Sequence, residues 1–342
     1  MAEKRSVLLI YTGGTIGMVQ DTRTGQLRPF DFSHLTEQVP ELKKFDLELH
    51  VVSFEQPLDS SNMQPDVWVR IAKIIEKNYD DHHGFVILHG SDTMSYTASA
   101  LSFMLENLGK PVVLTGSQLP IGIIRTDGKE NLVTAIEIAA TRQAGRPIVN
   151  EVCIYFEYKL YRGNRTHKFN AEQFNAFQSS NYPELAEAGV HLRYNKSALL
   201  KPTSKKLKVH TSLDPNIAIL KIFPGITPAL VKAVLGTKGL KALIIETFGA
   251  GNATTAGWFI DALRDAIKKG IIIYNVTQCN AGAVEQGKYQ TSAGLAKTGV
   301  IGGSDITVEA AVCKLMFLLG QKLKTKEIEK LLKRSLRGEL TE

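Results

Sequence analysis

Short, wholly apolar runs alternate with polar, glycine-bearing exits along the first half of the chain. The first run, residues 7–11 (VLLIY), is dominated by branched side chains and is too short for a free-standing helix, so it reads as a strand buried on both faces of a parallel sheet. It stops abruptly at Thr12-Gly13-Gly14-Thr15. Residues 47–54 are the next expected strand, with Pro57-Leu58-Asp59-Ser60-Ser61-Asn62 as its exit. Residues 85–88 run into His89-Gly90-Ser91-Asp92-Thr93, and residues 111–114 into Thr115-Gly116-Ser117-Gln118. Between the runs the apolar period lengthens to that of a helix, over residues 65–78, 93–108 and 129–141, the first opened by Pro65 where proline is tolerated. A further run at 151–158 leads into the polar stretch that ends at Lys168, and residues 170–195 show little regular pattern. Parallel strands joined by crossovers bring their exits to one edge of the sheet. Thr15, Ser60, Ser61, Ser91, Asp92, Ser117 and Gln118 are therefore expected to converge.

The same alternation restarts after residues 201–216, which carry Pro202, Ser204, Pro215 and four lysines and read as a linker. Strands are expected at 217–222, 242–246 and 271–276, and helices at 227–235, 258–269, 307–319 and 324–336. At 342 residues the chain exceeds what one core usually serves. The expected architecture is two α/β domains: a larger N-terminal open sheet with helices on both faces (1–200, catalytic) and a smaller C-terminal parallel-sheet domain (217–342).

Charge changes this picture little. The 41 basic and 34 acidic residues leave a net charge of +7, scattered except near the carboxyl terminus, where the lysines fall on the outer face of a packed helix. That pattern speaks for solubility and against a nucleic-acid partner. Cys153, Cys279 and Cys313 are far apart with no C-x-x-C pair, which fits thiols in a reducing compartment. The run after Lys4 and Arg5 is too short for a signal-peptide core, and no stretch approaches the roughly 18 apolar residues of a membrane helix. The expectation is a soluble cytoplasmic protein with no membrane partner. No metal is expected either: His82 and His83 point apart, and no paired Cys/His spacing occurs.

Three readings fit the turn at residues 12–15. It is a tight turn with two incidental threonines, a phosphate-binding loop, or a threonine nucleophile presented at a strand end. The spacing matches neither dinucleotide nor P-loop glycine patterns, and two adjacent glycines leave backbone amides uncovered. The convergent hydroxyls and carboxylate suit acyl transfer, in which a base takes the hydroxyl proton and amides stabilise the oxyanion. Lys168 taken alone reads as a surface lysine. The polar segment 19–32 reads equally as a lid or a surface excursion.

The stretches Tyr11-Thr12-Gly13-Gly14-Thr15-Ile16-Gly17 and Leu88-His89-Gly90-Ser91-Asp92-Thr93-Met94 closely resemble the two signatures of the bacterial-type L-asparaginases. Residues 101–111, 161–165 and 300–303 look like the cytoplasmic type I branch, and the resemblance runs from about residue 7 to 340. It implies hydrolysis of L-asparagine to L-aspartate and ammonia through an acyl-enzyme, without a cofactor. Carried over by position, it makes Thr15 the nucleophile, Ser91, Asp92 and Lys168 a supporting triad, and Gln118 a neighbour of the amide. Asp59, Ser60 and Ser61 would hold the substrate's α-amino and α-carboxylate groups. Asn252 would come from an adjacent subunit, implying a homodimer or a homotetramer built as a dimer of dimers.

The chain departs from the family pattern in three places. Serine stands at Ser91 where threonine is usual, which loses the methyl that fixes the rotamer. Gly25-Gln26-Leu27-Arg28 replaces the stretch that carries a lid tyrosine in many relatives, so Thr15 needs another activator. Glu246, an inverted charge, stands where some type I enzymes place an arginine at a regulatory asparagine site; Cys279 matches that site, and the sequence leaves regulation open. Two other functions fit the same resemblance: a catalytically weakened amino-acid-binding protein, and an ammonia-releasing amidotransferase subunit. The latter carries an extra amino-terminal domain for which residues 1–6 leave no room.

Overall fold

The computed structural model describes residues 4–20, 27–29, 39–287 and 290–342. The chain forms two compact units, Met1–Thr211 and Ser212–Glu342.

Eight strands build the sheet of the first unit: β1 (Arg5–Gly13), β2 (Leu47–Leu58), β3 (Gly84–Leu88), β4 (Val112–Thr115), β5 (Val152–Phe156), β6 (Lys159–Arg162), β7 (Ala186–Ala188) and β8 (Leu192–Tyr194). Their order is β8-β7-β6-β5-β4-β3-β1-β2, with the five strands from β5 to β2 parallel and the other three antiparallel. Leu9, Val86, Val113 and Cys153 lie level across four strands. They share a core with Leu132, Ala135 and Ile136 of helix α3 (Gly128–Ala140). The alternate residues Leu8, Ile10, Phe85 and Ile87 are equally buried and, with period two, point to the opposite face. Burial on both faces explains why these runs show no polar alternation.

Helix α1 (Pro65–Lys77) matches the expected span, but α2 (Met94–Met104) stops short of residue 108. Leu105–Glu106 leaves the helix to pair with Lys208–Val209 inside the stretch expected to be a linker, and Asn107 adopts φ 62°. The helix is also buried on nearly every side, not amphipathic as its spacing suggested. The run at 151–158 breaks into a hairpin because Glu157 and Tyr158 both have positive φ, 47° and 66°, as a two-residue turn between twisted antiparallel strands requires. Strands β7 and β8 fall where no pattern was expected, being three residues each and too short to establish a period.

The second unit has an all-parallel sheet, β9 (Ile217–Lys221), β10 (Ala242–Thr247), β11 (Ile272–Thr277) and β12 (Ile301–Gly302). Leu220, Leu243, Ile245 and Ile273 pack with Phe259 and Leu263 of α5 (Gly257–Lys268), which follows α4 (Pro228–Leu235). Helix α6 (Gln290–Thr298) and β12 were not expected, and α7 (Val308–Gly320) was. The last helix, α8 (Thr325–Leu332), ends before residue 336. Its end is drawn into a buried knot. Lys314 Nζ donates to the carbonyls of Leu332 and Arg334 and to Glu339 Oε1, at 3.2, 2.5 and 2.6 Å. Neither Lys314 nor Glu339 is exposed at all. Removing one member leaves the other charge buried and uncompensated, so Lys314→Met should lower stability by roughly 3–5 kcal/mol. A urea melt of the full chain checks this; an unchanged midpoint would mean the knot adds nothing.

Candidate active site

The strand exits meet because glycine lets backbone touch backbone. Gly13 and Gly14 adopt φ 136° and 89°, values that L side chains rarely take. A Cβ on Gly14 would lie 2.4 Å from the Gly90 amide nitrogen, and one on Gly90 would lie 2.6 Å from Ser60 Oγ. The residues after these glycines, Thr15 and Ser91, are thus set on abutting turns. The amide of Gly14 is not uncovered as expected: it donates to the Leu58 carbonyl at 3.2 Å.

The two threonines of the first turn differ in environment. Thr12 is buried and its hydroxyl donates to the Leu88 carbonyl at 2.8 Å, tying β1 to β3. Thr15 opens the 3-10 turn Thr15–Gly17 and is half-buried, and its hydroxyl has no hydrogen-bond partner among the described residues. The Tyr11 hydroxyl supports that turn by donating to the Gly17 carbonyl at 3.1 Å.

Lys168 reaches the second exit from a different part of the chain. It sits on a two-residue strand, His167–Lys168, paired antiparallel with Phe177–Gln178. Its ammonium donates to Ser91 Oγ at 2.8 Å and to Asp92 Oδ1 at 2.6 Å. The Ser91 hydroxyl donates in turn to Gln118 Oε1 at 3.3 Å. At the neighbouring exit, Asp59 accepts from the Ser61 amide and hydroxyl, both at 2.8 Å, which holds its carboxyl below the usual carboxylate range. Ser60 is buried, and its carbonyl accepts from Thr93 Oγ1 at 2.7 Å.

Residues 6–200 match the family model described as "Asparaginase, N-terminal", and residues 216–332 match "Glutaminase/Asparaginase C-terminal domain". The chain belongs to the asparaginase family. It is 45% identical to L-asparaginase 1 of Escherichia coli over 99% of both chains. It is also 41% identical to the 60 kDa lysophospholipase of Mus musculus, over 100% of this chain and 63% of that one. The solved structure of L-asparaginase I from Vibrio cholerae superposes with a TM-score of 0.89 at 39% identity, covering 99% of this chain and 100% of the other.

Within this asparaginase fold, the structure brings Ser91, Asp92, Lys168 and Gln118 into direct contact and docks the exits of Thr15 and Ser60 against Gly90. Asn252 belongs to the second unit, in a tight turn after β10 where its amide and carbonyl pair with those of Phe248 at 2.8 and 2.9 Å. Gly25 and Gln26, in the stretch read as a lid, lie outside the described residues. Ser117 turns away from the cluster to donate to the Leu119 carbonyl at 2.5 Å.

Residue-by-residue reading missed the support behind the cluster. Trp68 Nε1–H can only donate, and it meets Thr97 Oγ1 at 2.9 Å. The Gly90 carbonyl can only accept, so the proton of the neutral His89 ring sits on Nδ1, which donates to it at 2.6 Å, and Nε2 accepts from Thr97 Oγ1 at 2.9 Å. A one-way chain of neutral donors thus pins the carbonyl next to Ser91. The signal was present, since a histidine directly after a doubly buried strand has no route to water.

Burial pulls the His89 pKa down to about 4 from its ordinary 6.5. Its neutral ring stabilises the fold fully above the unfolded value, and that contribution, up to roughly 3 kcal/mol, is lost as pH falls through 6.5 towards 4. Denaturant melts across this range should show a slope that His89→Gln flattens. Parallel slopes for the two proteins would contradict this account.

Proposed function

We propose that this chain hydrolyses the side-chain amide of L-asparagine to L-aspartate and ammonia, with Thr15 as nucleophile. The observation that carries the reading is the Lys168 ammonium held between Ser91 Oγ and Asp92 Oδ1, on a loop whose backbone touches the turn presenting Thr15. Thr15 Oγ attacks the amide carbon, forming a C–O bond. The C–N bond then breaks, and ammonia leaves with the proton that Thr15 gave up. Water attacks the resulting ester, the Thr15 C–O bond breaks, and Thr15 regains a proton as aspartate departs. The Ser91–Lys168–Asp92 cluster supports this as a hydroxyl fixed beside a cation, suited to guiding protons and to offsetting charge on the intermediate.

The ionised Asp59 supports a site for the α-ammonium, shared with Asp92, with Ser60 and Ser61 beside it for the α-carboxylate. Asn252 would complete the site of a neighbouring copy, making the working unit a homodimer or homotetramer. A cytoplasmic setting is supported by three cysteines present as thiols, and no helix among the described residues is long and apolar enough to cross a membrane.

Ammonia release measured over a series of L-asparagine concentrations tests the central claim. Hyperbolic turnover is expected, with Thr15→Ala lowering kcat by at least about 1,000-fold, as loss of a nucleophile does. Saturable asparagine binding without ammonia release would leave a binding protein instead. Co-refolding Thr15→Ala with Asn252→Ala tests the shared site, because a mixed dimer regains one intact site and about a quarter of wild-type activity should return. No recovery would confine the site to one chain.

A further inference from the structure

Lys168, Ser91, Gln118 and Gln173 form a hydrogen-bonded circuit whose direction is set by valence. The circuit starts and ends on one hairpin. Lys168 lies on its first strand, and Gln173 lies in the turn before Phe177–Gln178, where Asn170 Oδ1 accepts from the amides of Glu172 and Gln173 at 2.8 and 2.9 Å. The Gln173 carbonyl can only accept, so it takes the Gln118 NH2 group, at 3.0 Å. That turns Gln118 Oε1 towards Ser91, and an amide oxygen can only accept. Lys168 can only donate, so the single Ser91 proton is directed at Gln118. One lone pair on Ser91 Oγ remains, open to a hydrogen bond from the reacting groups.

The Gln118 backbone is held as firmly as its side chain. The Asp127 carboxylate, itself buried, accepts from the amides of Gln118 and Leu119 at 3.0–3.2 Å and from Asn131 Nδ2 at 3.3 Å. Asn131 also donates to the Gly116 carbonyl at 3.0 Å, which closes the strand exit around the same carboxylate. Burial raises the Asp127 pKa against these amide bonds. Such an anchor has little reason to exist unless the residue it fixes must be accurately placed.

We infer that Gln118, anchored by Asp127, is a positioning residue that fixes the Ser91 hydroxyl with its free lone pair presented as a hydrogen-bond acceptor. It does for serine what a β-methyl does for threonine: an unbranched hydroxyl visits three staggered rotamers, and the circuit selects one. This rests on Ser91 belonging to the active site and refines the role expected for Gln118, from a neighbour of the substrate amide to a group acting through Ser91.

The test is steady-state ammonia release from L-asparagine by the full chain carrying Gln118→Met, Ser91→Thr, both, and Thr15→Ala as control. Gln118→Met keeps length and removes the acceptor. It should lower kcat about tenfold, the size of one hydrogen bond, with KM changed by less than about threefold. In the Ser91→Thr background the same substitution should cost about threefold or less, because the methyl restores the rotamer. Asp127→Asn should behave in the same direction and be rescued in the same way. Gln118→Asn, one methylene too short to span Ser91 and Gln173, replaces Gln118→Met if circular dichroism shows the latter unfolded. A rise in KM with kcat unchanged, or an equal loss in both backgrounds, overturns the inference. If Thr15→Ala still turns over normally, the site assignment fails and this inference with it; if Thr15→Ala is inactive and Gln118→Met is not impaired, only this inference falls.

Discussion

The contact on which the first unit's site depends is the one between Gly14 and Gly90. Strands β1 and β3 are adjacent and parallel, with Tyr11 level with Leu88, so their exits leave the sheet side by side. Two exits at neighbouring strand spacing would normally be held apart by side chains. With no Cβ at either position, the turns close until backbone meets backbone, and a methyl at Gly14 would drive into the Gly90 amide. Ser60 Oγ also packs against Gly90, and Thr93 returns a hydrogen bond to the Ser60 carbonyl. Three loops thereby share one wall.

Around that wall, hydrogen-bond direction divides the site in two. Behind it, Trp68, Thr97 and His89 form a neutral chain ending on the Gly90 carbonyl, in surroundings so dry that the imidazole resists protonation well below its ordinary pKa. In front, Lys168, Ser91 and Gln118 form a chain that begins on a cation and ends on Gln173. A neutral rear keeps the geometry insensitive to pH near neutrality, whereas a charged front can respond to a reacting group. Both chains grip residues 89–92, one through a carbonyl and one through side chains.

What the sequence disclosed was the part that depends on short-range pattern. Doubly buried strands announce themselves as unbroken apolar runs, and their glycine exits mark the functional edge; hence residues 7–17 and 84–92 were legible as strand-plus-turn. Thr12 and Thr15 could not be told apart by pattern, because what separates them is a carbonyl on another strand, Leu88, 76 residues away. The roles of Asp127 and Gln173 were hidden for the same reason, since the Asp127 carboxylate grips the backbone amides of Gln118 and Leu119 and Gln173 acts through its own carbonyl. Helix α2 was overestimated because tertiary pairing of Leu105–Glu106 with Lys208–Val209 overrode a helical period that continued on paper. The short strands β7 and β8 had no period to read.

The two lysine–carboxylate pairs show how one local geometry serves two ends. Lys314–Glu339 and Lys168–Asp92 have the same 2.6 Å separation. An ammonium has three donors. In Lys314 all three are taken, by Leu332, Arg334 and Glu339, and both charged side chains are wholly buried, so the pair can only hold the carboxyl-terminal segment in place. In Lys168 two are taken, by Ser91 and Asp92, and the Asp92 side chain is 64% exposed. Lys168 itself keeps 15% of its side chain open, where Lys314 keeps none. Saturation and complete burial make a lysine structural; partial exposure leaves its charge open to other groups. Had the Lys168 ammonium found another carbonyl on its own hairpin, the same pair would have been one more strut.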